Sequence, residues 1–358
     1  MTACRGCGKA ELSRVLDLGK VPAADSFPLA GDPVSSDEAS HHLAMDMCRA
    51  CGLAQLADDD TVTDEPRGVE PQALRDQAAD AIRRVADAGW LRGHTVAEFG
   101  SPHGGTWIPL LSERGYTTEN SSADVVLDCF GIMHEPNQRS AFQRRAQVTN
   151  PAGVLLLQYH SIATIIARGQ WNALRHGHFA YYSLTALRRL LGDAGMGIAT
   201  AWEFDLYGGS VLIAAVHGEI EPDDTVERIL ASEESLGVTV PDTVERLQFH
   251  ADEHVRSLRD WLRNEAVAGR TVFAYGAASR AVALLSRAGI DSQLLGAVAD
   301  ASPAKQGRRM PGTDIPIISP EGLLAADPDR VLLTLPDLLP EVSRRFPELA
   351  GRWRVDGG

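Results

Sequence analysis

Thr95-Val-Ala-Glu-Phe-Gly100-Ser-Pro-His-Gly-Gly105 is the stretch that decides the fold. Thr95 to Gly100 reads as a short buried strand, followed by Ser101-Pro-His-Gly-Gly105. The glycines behind it let the backbone turn sharply, and Trp107 to Leu111 fits a helix leaving that turn. The same alternation extends in both directions. Residues 72–89 repeat apolar side chains at helical spacing (Leu74, Ala78, Ile82, Val85). Ala123 to Phe130 and Val154 to Gln158 read as two further buried strands, the second preceded by a turn at Asn150-Pro-Ala-Gly153. Residues 184–194 form an amphipathic helix, and Ala199 to Phe204 with Ser210 to Val216 read as a closing antiparallel pair around Gly208-Gly209. Strands alternating with helices imply a mostly parallel sheet, hence an α/β fold.

Working outward, residues 218–268 are charged and helical, with a break at Pro241. A second α/β unit follows. Thr271 to Tyr275 is a strand running into Gly276-Ala-Ala-Ser-Arg280 and a helix, Leu294 to Val298 is a strand ending at Asp300, and Arg330 to Thr334 is another. Upstream, an acidic stretch through Glu65 reads as a linker. At 358 residues the chain exceeds the roughly 250–300 residues at which one core stops growing. The expected organisation is a metal-binding lobe over 1–60, an α/β unit over 61–217, a helical connector over 218–268 and a C-terminal α/β unit over 269–358.

The metal reading comes from Cys4-Arg-Gly-Cys7 and Cys48-Arg-Ala-Cys51, each with glycine next (Gly8, Gly52). The spacing points two thiolates at one ion, and two such pairs make a closed tetrahedral sulfur site. That favours structural zinc over an open catalytic metal; a rubredoxin-like iron site has the same geometry. Cys129 lies in an apolar strand and reads as a buried small hydrophobe. A net charge of −14 argues against a nucleic-acid binder that works through a general basic surface. No apolar run approaches the roughly 18–20 residues of a membrane helix, and the N-terminus carries no signal-peptide pattern, so the expected location is cytoplasmic.

Together these motifs resemble the zinc-containing C-methyltransferases of nucleotide-linked deoxysugars, enzymes of deoxysugar and antibiotic biosynthesis. The N-terminal signature matches at Cys4 to Gly8, Val15-Leu-Asp-Leu-Gly19, Pro22, Ser26-Phe27 and Cys48 to Leu56. The C-terminal signature matches at Tyr275-Gly-Ala277, Ala299-Asp300, Ser302-Pro303, Lys305-Gln-Gly307, Pro311-Gly-Thr313 and Ile315-Pro316. His178 with Tyr181-Tyr-Ser-Leu-Thr-Ala-Leu187, and Gly208-Gly-Ser210, match the middle. The resemblance implies a Rossmann-like class I methyltransferase unit between a zinc lobe and a second Rossmann-like unit. It also implies S-adenosylmethionine as cofactor and a nucleotide-linked keto-sugar as partner. In the implied mechanism a histidine removes the proton beside a ketone, and the enolate attacks the sulfonium methyl. The corresponding residues are His178, with Tyr181 and Arg175, for catalysis. Glu98, Gly100, Ser101, Gly104 and Glu119 would bind the cofactor, and Tyr275, Gly276, Arg280, Lys305 and Arg308 the nucleotide-sugar. His134, His160 and His176 sit where they could line the same cleft.

The departures are local. Tyr116 to Ser122 replaces the second and third strands that the family has between Gly115 and Ala123. Arg175-His-Gly-His178 stands where the family has Tyr-x-Glu-His, and Tyr207 stands where it has histidine. The shortening leaves two other readings: a member that has lost methyl transfer and acts as an isomerase or epimerase or on another scaffold, and a non-catalytic binding subunit.

Overall fold

The computed structural model describes residues 3–61, 69–101, 105–205 and 209–357. Its strands form three sheets. The first is antiparallel, β1 (Leu12–Val21), β2 (His41–Cys48) and β3 (Ala54–Leu56), and its fourth strand is β8 (Ala180–Tyr181), supplied from the middle of the chain.

The second sheet has the order β5-β4-β6-β7-β10-β9. It contains β4 (Thr95–Phe99), β5 (Thr117–Thr118), β6 (Ala123–Cys129), β7 (Thr149–His160), β9 (Met196–Phe204) and β10 (Ser210–His217). The first four are parallel, and β10 lies antiparallel between β7 and β9. Val125, Val126 and Leu127 are fully buried, as expected for a strand covered on both faces. Around this sheet lie α1 (Gln72–Asp87), α2 (Ile108–Ser112), α3 (Gln138–Val148), α4 (Ile162–Ala167) and α5 (Leu184–Gly192). Two expectations are corrected. Asn150 to Gly153 is not a turn before β7 but part of it, with the pairing to β6 irregular there. The shortened segment after Gly115 still makes a strand, the two-residue β5, which pairs with β4 at the sheet edge.

The third sheet, β13-β12-β11-β14-β15, is wholly parallel. Its strands are β11 (Val272–Tyr275), β12 (Val298–Ala299), β13 (Ile317–Ile318), β14 (Arg330–Leu333) and β15 (Trp353–Val355). This is the order of a doubly wound sheet, with its switch point between β11 and β14. The strand expected from Leu294 is shorter, because Asp291 accepts the backbone N–H groups of Gln293 and Leu294 and holds that stretch in a turn.

Between the two α/β units run α6 (Asp224–Leu236) and α7 (Pro241–Val267). Pro241 begins α7, where its missing N–H costs nothing. The apolar face of α7, from Val244 through Leu262, shares one core with β1, β2 and α8 (Ser279–Ala288), so the first sheet and the C-terminal unit are packed together. Arg309 fastens the same junction. It is 2% exposed, grips Glu38 through two hydrogen bonds of 2.6 and 2.8 Å, and donates to the carbonyls of Asp32, Pro33 and Thr313.

Candidate active site and metal centre

The four cysteines of the two pairs meet. Their sulfurs lie within 4.8 Å of one another, with Cys4–Cys51 and Cys7–Cys48 at 3.6 Å. A tetrahedral zinc with bonds near 2.3 Å needs sulfurs about 3.8 Å apart, so the set fits the ion. Each knuckle closes on a backbone bond, Gly8 N–H to Cys4 O and Gly52 N–H to Cys48 O. Gly52 has φ 77°, and a Cβ there would lie 2.8 Å from Thr239 Cγ2, so this turn needs glycine. The bond from the Cys51 thiol is the main reason that the Cys4 thiol is held down to about 5, while the same bond and burial push Cys51 up. Without a cation, sulfurs this close do not all ionise; an ion held by four thiolates relieves that conflict. None of the four cysteines lines the cleft described next.

That cleft, a cavity of about 280 Å³, lies where the two α/β sheets present their carboxyl ends to each other. On one side are Ser101 after β4, Cys129 and Phe130 at the end of β6, and Gln158 and His160 at the end of β7. On the other are Ala277 to Arg280 after β11, Asp300 after β12 and Leu335 after β14. Both sheets therefore contribute at their switch points, β4/β6 and β11/β14, where open α/β sheets hold ligands. Gly105, Trp107 and the residues leading into α1 (Val69, Glu70, Pro71) complete the wall.

The loop after β6 is built by a buried ion pair. Asp128 Oδ1 accepts the N–H groups of Gly131 and Ile132 at 2.8 and 2.9 Å, and Oδ2 accepts Arg145 Nε–H at 2.8 Å. Burial pushes the Asp128 carboxyl up, against the pull of Arg145. The turn leaves Phe130 at φ 62°, a left-handed conformation uncommon for a bulky residue and frequent at functional sites. The loop then brings His134 to His178, ring centroids 4.5 Å apart and nearly perpendicular. His134 Nδ1–H donates to Gly177 O at 2.9 Å, so the neutral ring carries its lone pair on Nε2. Phe179 N–H to Met133 O at 2.7 Å and Gly177 N–H to Asp59 Oδ2 at 2.7 Å lock the two loops.

His178, His134, His160, Arg175, Arg280, Lys305 and Ser101 line the cleft. His160 is held neutral, down to about 3, by burial and then by the Arg280 and Arg175 guanidiniums. Other expected residues serve nearby. His176 faces the first sheet, against the His41 ring at 6.0 Å, and does not line the cavity. Tyr181 is buried and its hydroxyl accepts the Arg175 backbone N–H at 3.0 Å, so it sets the loop. Tyr275 packs edge-on against Trp353 and on Phe346, and Gly276 gives room for Thr334, whose Oγ1 would lie 2.7 Å from a Cβ there. Arg308 points away and donates to the carbonyls of Ala304 and Phe27. Glu98 accepts from Trp107 N–H at 2.8 Å and from the Thr106 hydroxyl. Gly100 follows β4, which ends one residue earlier than expected, Glu119 is exposed directly after β5, and Gly104 and Tyr207 lie outside the described residues. Cys129 is not wholly buried as expected but lines the cleft, its thiol pushed up by burial. Asp300 and Ser279 lay in motifs that gave them no role, and Gln158, near the end of β7, was signalled by none.

The architecture defines a class: a zinc-lobed α/β protein with two Rossmann-like units facing across one cleft. The C-methyltransferase C-terminal domain family matches residues 205–353, and a zinc binding domain family matches residues 4–63. The chain is 26% identical to the C-methyltransferase NovU of Streptomyces niveus, over 98% of this chain and 94% of that protein. The chain thus joins a zinc binding domain to a C-methyltransferase C-terminal domain and is an enzyme of the C-methyltransferase class. Among solved structures it is similar to the magnesium protoporphyrin IX methyltransferase of Synechocystis with bound SAH (14% identity, 43% of this chain, 90% of that one, TM-score 0.30). It is also similar to the PH0226 protein of Pyrococcus horikoshii (11% identity, 42% and 94%, TM-score 0.34). No helix among the described residues is long and apolar enough to cross a membrane.

Proposed function

We propose that this C-methyltransferase acts on a carbon beside the ketone of a nucleotide-linked deoxysugar, with His178 as the base. The observation that carries this reading is the position of His178, beside His134 and lining the same cleft between the two sheets as Arg280. A proton beside a carbonyl is removed by a group that is neutral near pH 7 and screened from bulk water, and imidazole suits both demands. His178 is 4% exposed. The enolate carbon would then take the methyl that the sulfonium donor supplies, the S–CH3 bond breaking as the thioether is released, and His178 would hold the proton until product leaves.

S-adenosylmethionine is the methyl donor in this reading; it supplies an electrophilic methyl on a sulfonium. Ser101, Gly105 and Trp107 would flank it, with Glu98 holding the Trp107 backbone N–H. Glu119, directly after β5, stands where a carboxylate meets a ribose in such folds. The nucleotide would lie against the C-terminal unit at Arg280 and Lys305.

His178→Gln keeps much of the shape but cannot titrate. It should abolish both methyl transfer and deuterium exchange at the substrate's α-carbon, measured by mass spectrometry on a panel of nucleotide-linked keto-sugars. Exchange that survives in His178→Gln would move the base elsewhere. Exchange without methylation in the parent protein, at saturating S-adenosylmethionine, would favour the isomerase reading.

A further inference from the structure

We propose that Gln77 and Gln158 form a neutral amide pair that recognises a ligand hydroxyl in the cleft. The proposal rests on the functional reading above for what enters the site, and adds two residues that select it.

Both residues stand where an apolar side chain is the expected choice. On β7 the run from Val154 to Leu157 is apolar, and Val154 and Leu156, on the face that Gln158 shares, belong to the core under α1. Leu212 pairs with Gln158 across the ladder, so Ser210, Leu212 and Ala214 of β10 lie on that face too. On α1 the covered face is Ala78, Ala81, Ile82 and Val85, and Gln77 is buried with them. The apolar layer between α1 and the sheet therefore ends, at the carboxyl end of β7, in Gln77, Gln158 and Ser210. Gln158 is 1% exposed, Ser210 2% and Gln77 9%. Burying an amide costs stability unless its groups are paired. The layer bears that cost at the edge that borders the cavity, which Gln77 and Gln158 both line.

The three residues share a chain of hydrogen bonds. Gln158 Nε2 donates to Gln77 Oε1 at 3.1 Å and to Ser210 Oγ at 3.0 Å, which uses both of its N–H groups. The Gln158 Oε1 acceptor and the Gln77 Nε2 donor are left over. Both atoms are buried, and neither has a partner among the described residues. Exchanging O and N in both amides keeps the bond between them and again leaves one donor and one acceptor. Both side chains already line the cavity, so turning their amide ends brings these groups to a ligand. A carboxylate would satisfy the donor and be repelled by the acceptor, and an ammonium the reverse. A hydroxyl gives one hydrogen bond and takes another, so it suits both. A hydroxyl on the sugar of the substrate and one on the ribose of the methyl donor share that chemistry.

The test uses the full-length, zinc-loaded protein with Gln77→Met, Gln158→Met and the double variant. Methionine keeps the unbranched length and removes the amide. Affinities are measured by calorimetric titration with thymidine-diphosphate glucose, thymidine diphosphate, S-adenosylhomocysteine and 5′-methylthioadenosine. Each single variant should weaken binding of the recognised ligand by about fivefold or more, and the double variant should lose less than the product of the two. A loss for thymidine-diphosphate glucose that thymidine diphosphate does not share assigns the pair to a sugar hydroxyl. A loss shared by S-adenosylhomocysteine and 5′-methylthioadenosine assigns it to the ribose. Parent-like affinity for all four ligands overturns the proposal. So does a loss for S-adenosylhomocysteine alone, which would point to its charged amino-acid end, or an equal loss for both thymidine ligands. Melting without ligand separates recognition from a structural role. The double variant removes two unpaired buried groups and should melt no lower than the parent. A lower melting temperature with unchanged affinities would make the pair structural and overturn the proposal. If the double variant does not fold, the single-variant affinities decide. Because binding is read without turnover, a failed amide pair leaves the His178 exchange result untouched, and the reverse holds.

Discussion

Replacing Arg145 with methionine isolates the device that carries His134 and Phe130 to the cleft. The Arg145 side chain is 2% exposed and that of Asp128 is 0% exposed. The guanidinium also reaches Glu135 at 3.1 Å and lies 4.1 Å from the centroid of the Phe99 ring at the end of β4. Methionine fills much of the volume but leaves the Asp128 carboxylate buried with only its two backbone donors. Breaking a buried pair from one side costs about 3–5 kcal/mol. At roughly 2–4 °C per kcal/mol for a unit of this size, the melting temperature should fall by about 10 °C. The loss should also depend on pH. Burial already raises the Asp128 pKa, and removing Arg145 raises it further. An acid whose folded pKa exceeds its unfolded value binds more protons when folded. Its cost is therefore absent in acid and grows as pH rises through that window. Calorimetry of the zinc-loaded protein at pH 5 and pH 7.5 should show a larger deficit at the higher pH, with slower methyl transfer at both. A deficit below about 1 kcal/mol, or one equal at the two pH values, would refute the reasoning.

Two further outcomes follow from other parts of the molecule. Purified protein should carry about one zinc per chain by elemental analysis, and chelation should expose the N-terminal lobe to proteolysis, because the metal's binding energy is folding energy there; a metal-free protein with an intact lobe would contradict this. Glu38 is held down to about 2, chiefly by its bonds to Arg309. Its contribution is present above its ordinary range, disappears as pH falls from about 4.5 toward 2, and amounts to at most about 3 kcal/mol. Glu38→Gln should flatten acid unfolding across that window, and an unchanged acid profile would remove the junction from the account.

The metal centre was the most legible part. Two thiolates three residues apart converge by local geometry alone, and the distant pair completes one tetrahedron. The strands were legible for a similar reason, since a run such as Val125-Val-Leu127 suits a strand covered on both faces. The role of single residues at the cleft was harder to read. Tyr275, Arg308 and Tyr181 belong to motifs, yet a motif does not say which way a side chain leaves the backbone, and these three turn to Trp353, to main-chain carbonyls and to a neighbouring loop.

By itself, then, the sequence determined the two cysteine pairs, the two α/β units, and the resemblance to C-methyltransferases. These depend on spacing within a few residues or on the period of one strand or helix. Tertiary structure alone decided that β8 completes the first sheet, that the carboxyl ends of two sheets meet across one cavity, and that Arg175 and Arg280 line it together. The physical reason is range. Hydrophobic periodicity says which face of an element is covered, but not what covers it, and the groups that share this cleft come from segments whose contact is set only when α7 packs the first sheet against the C-terminal unit.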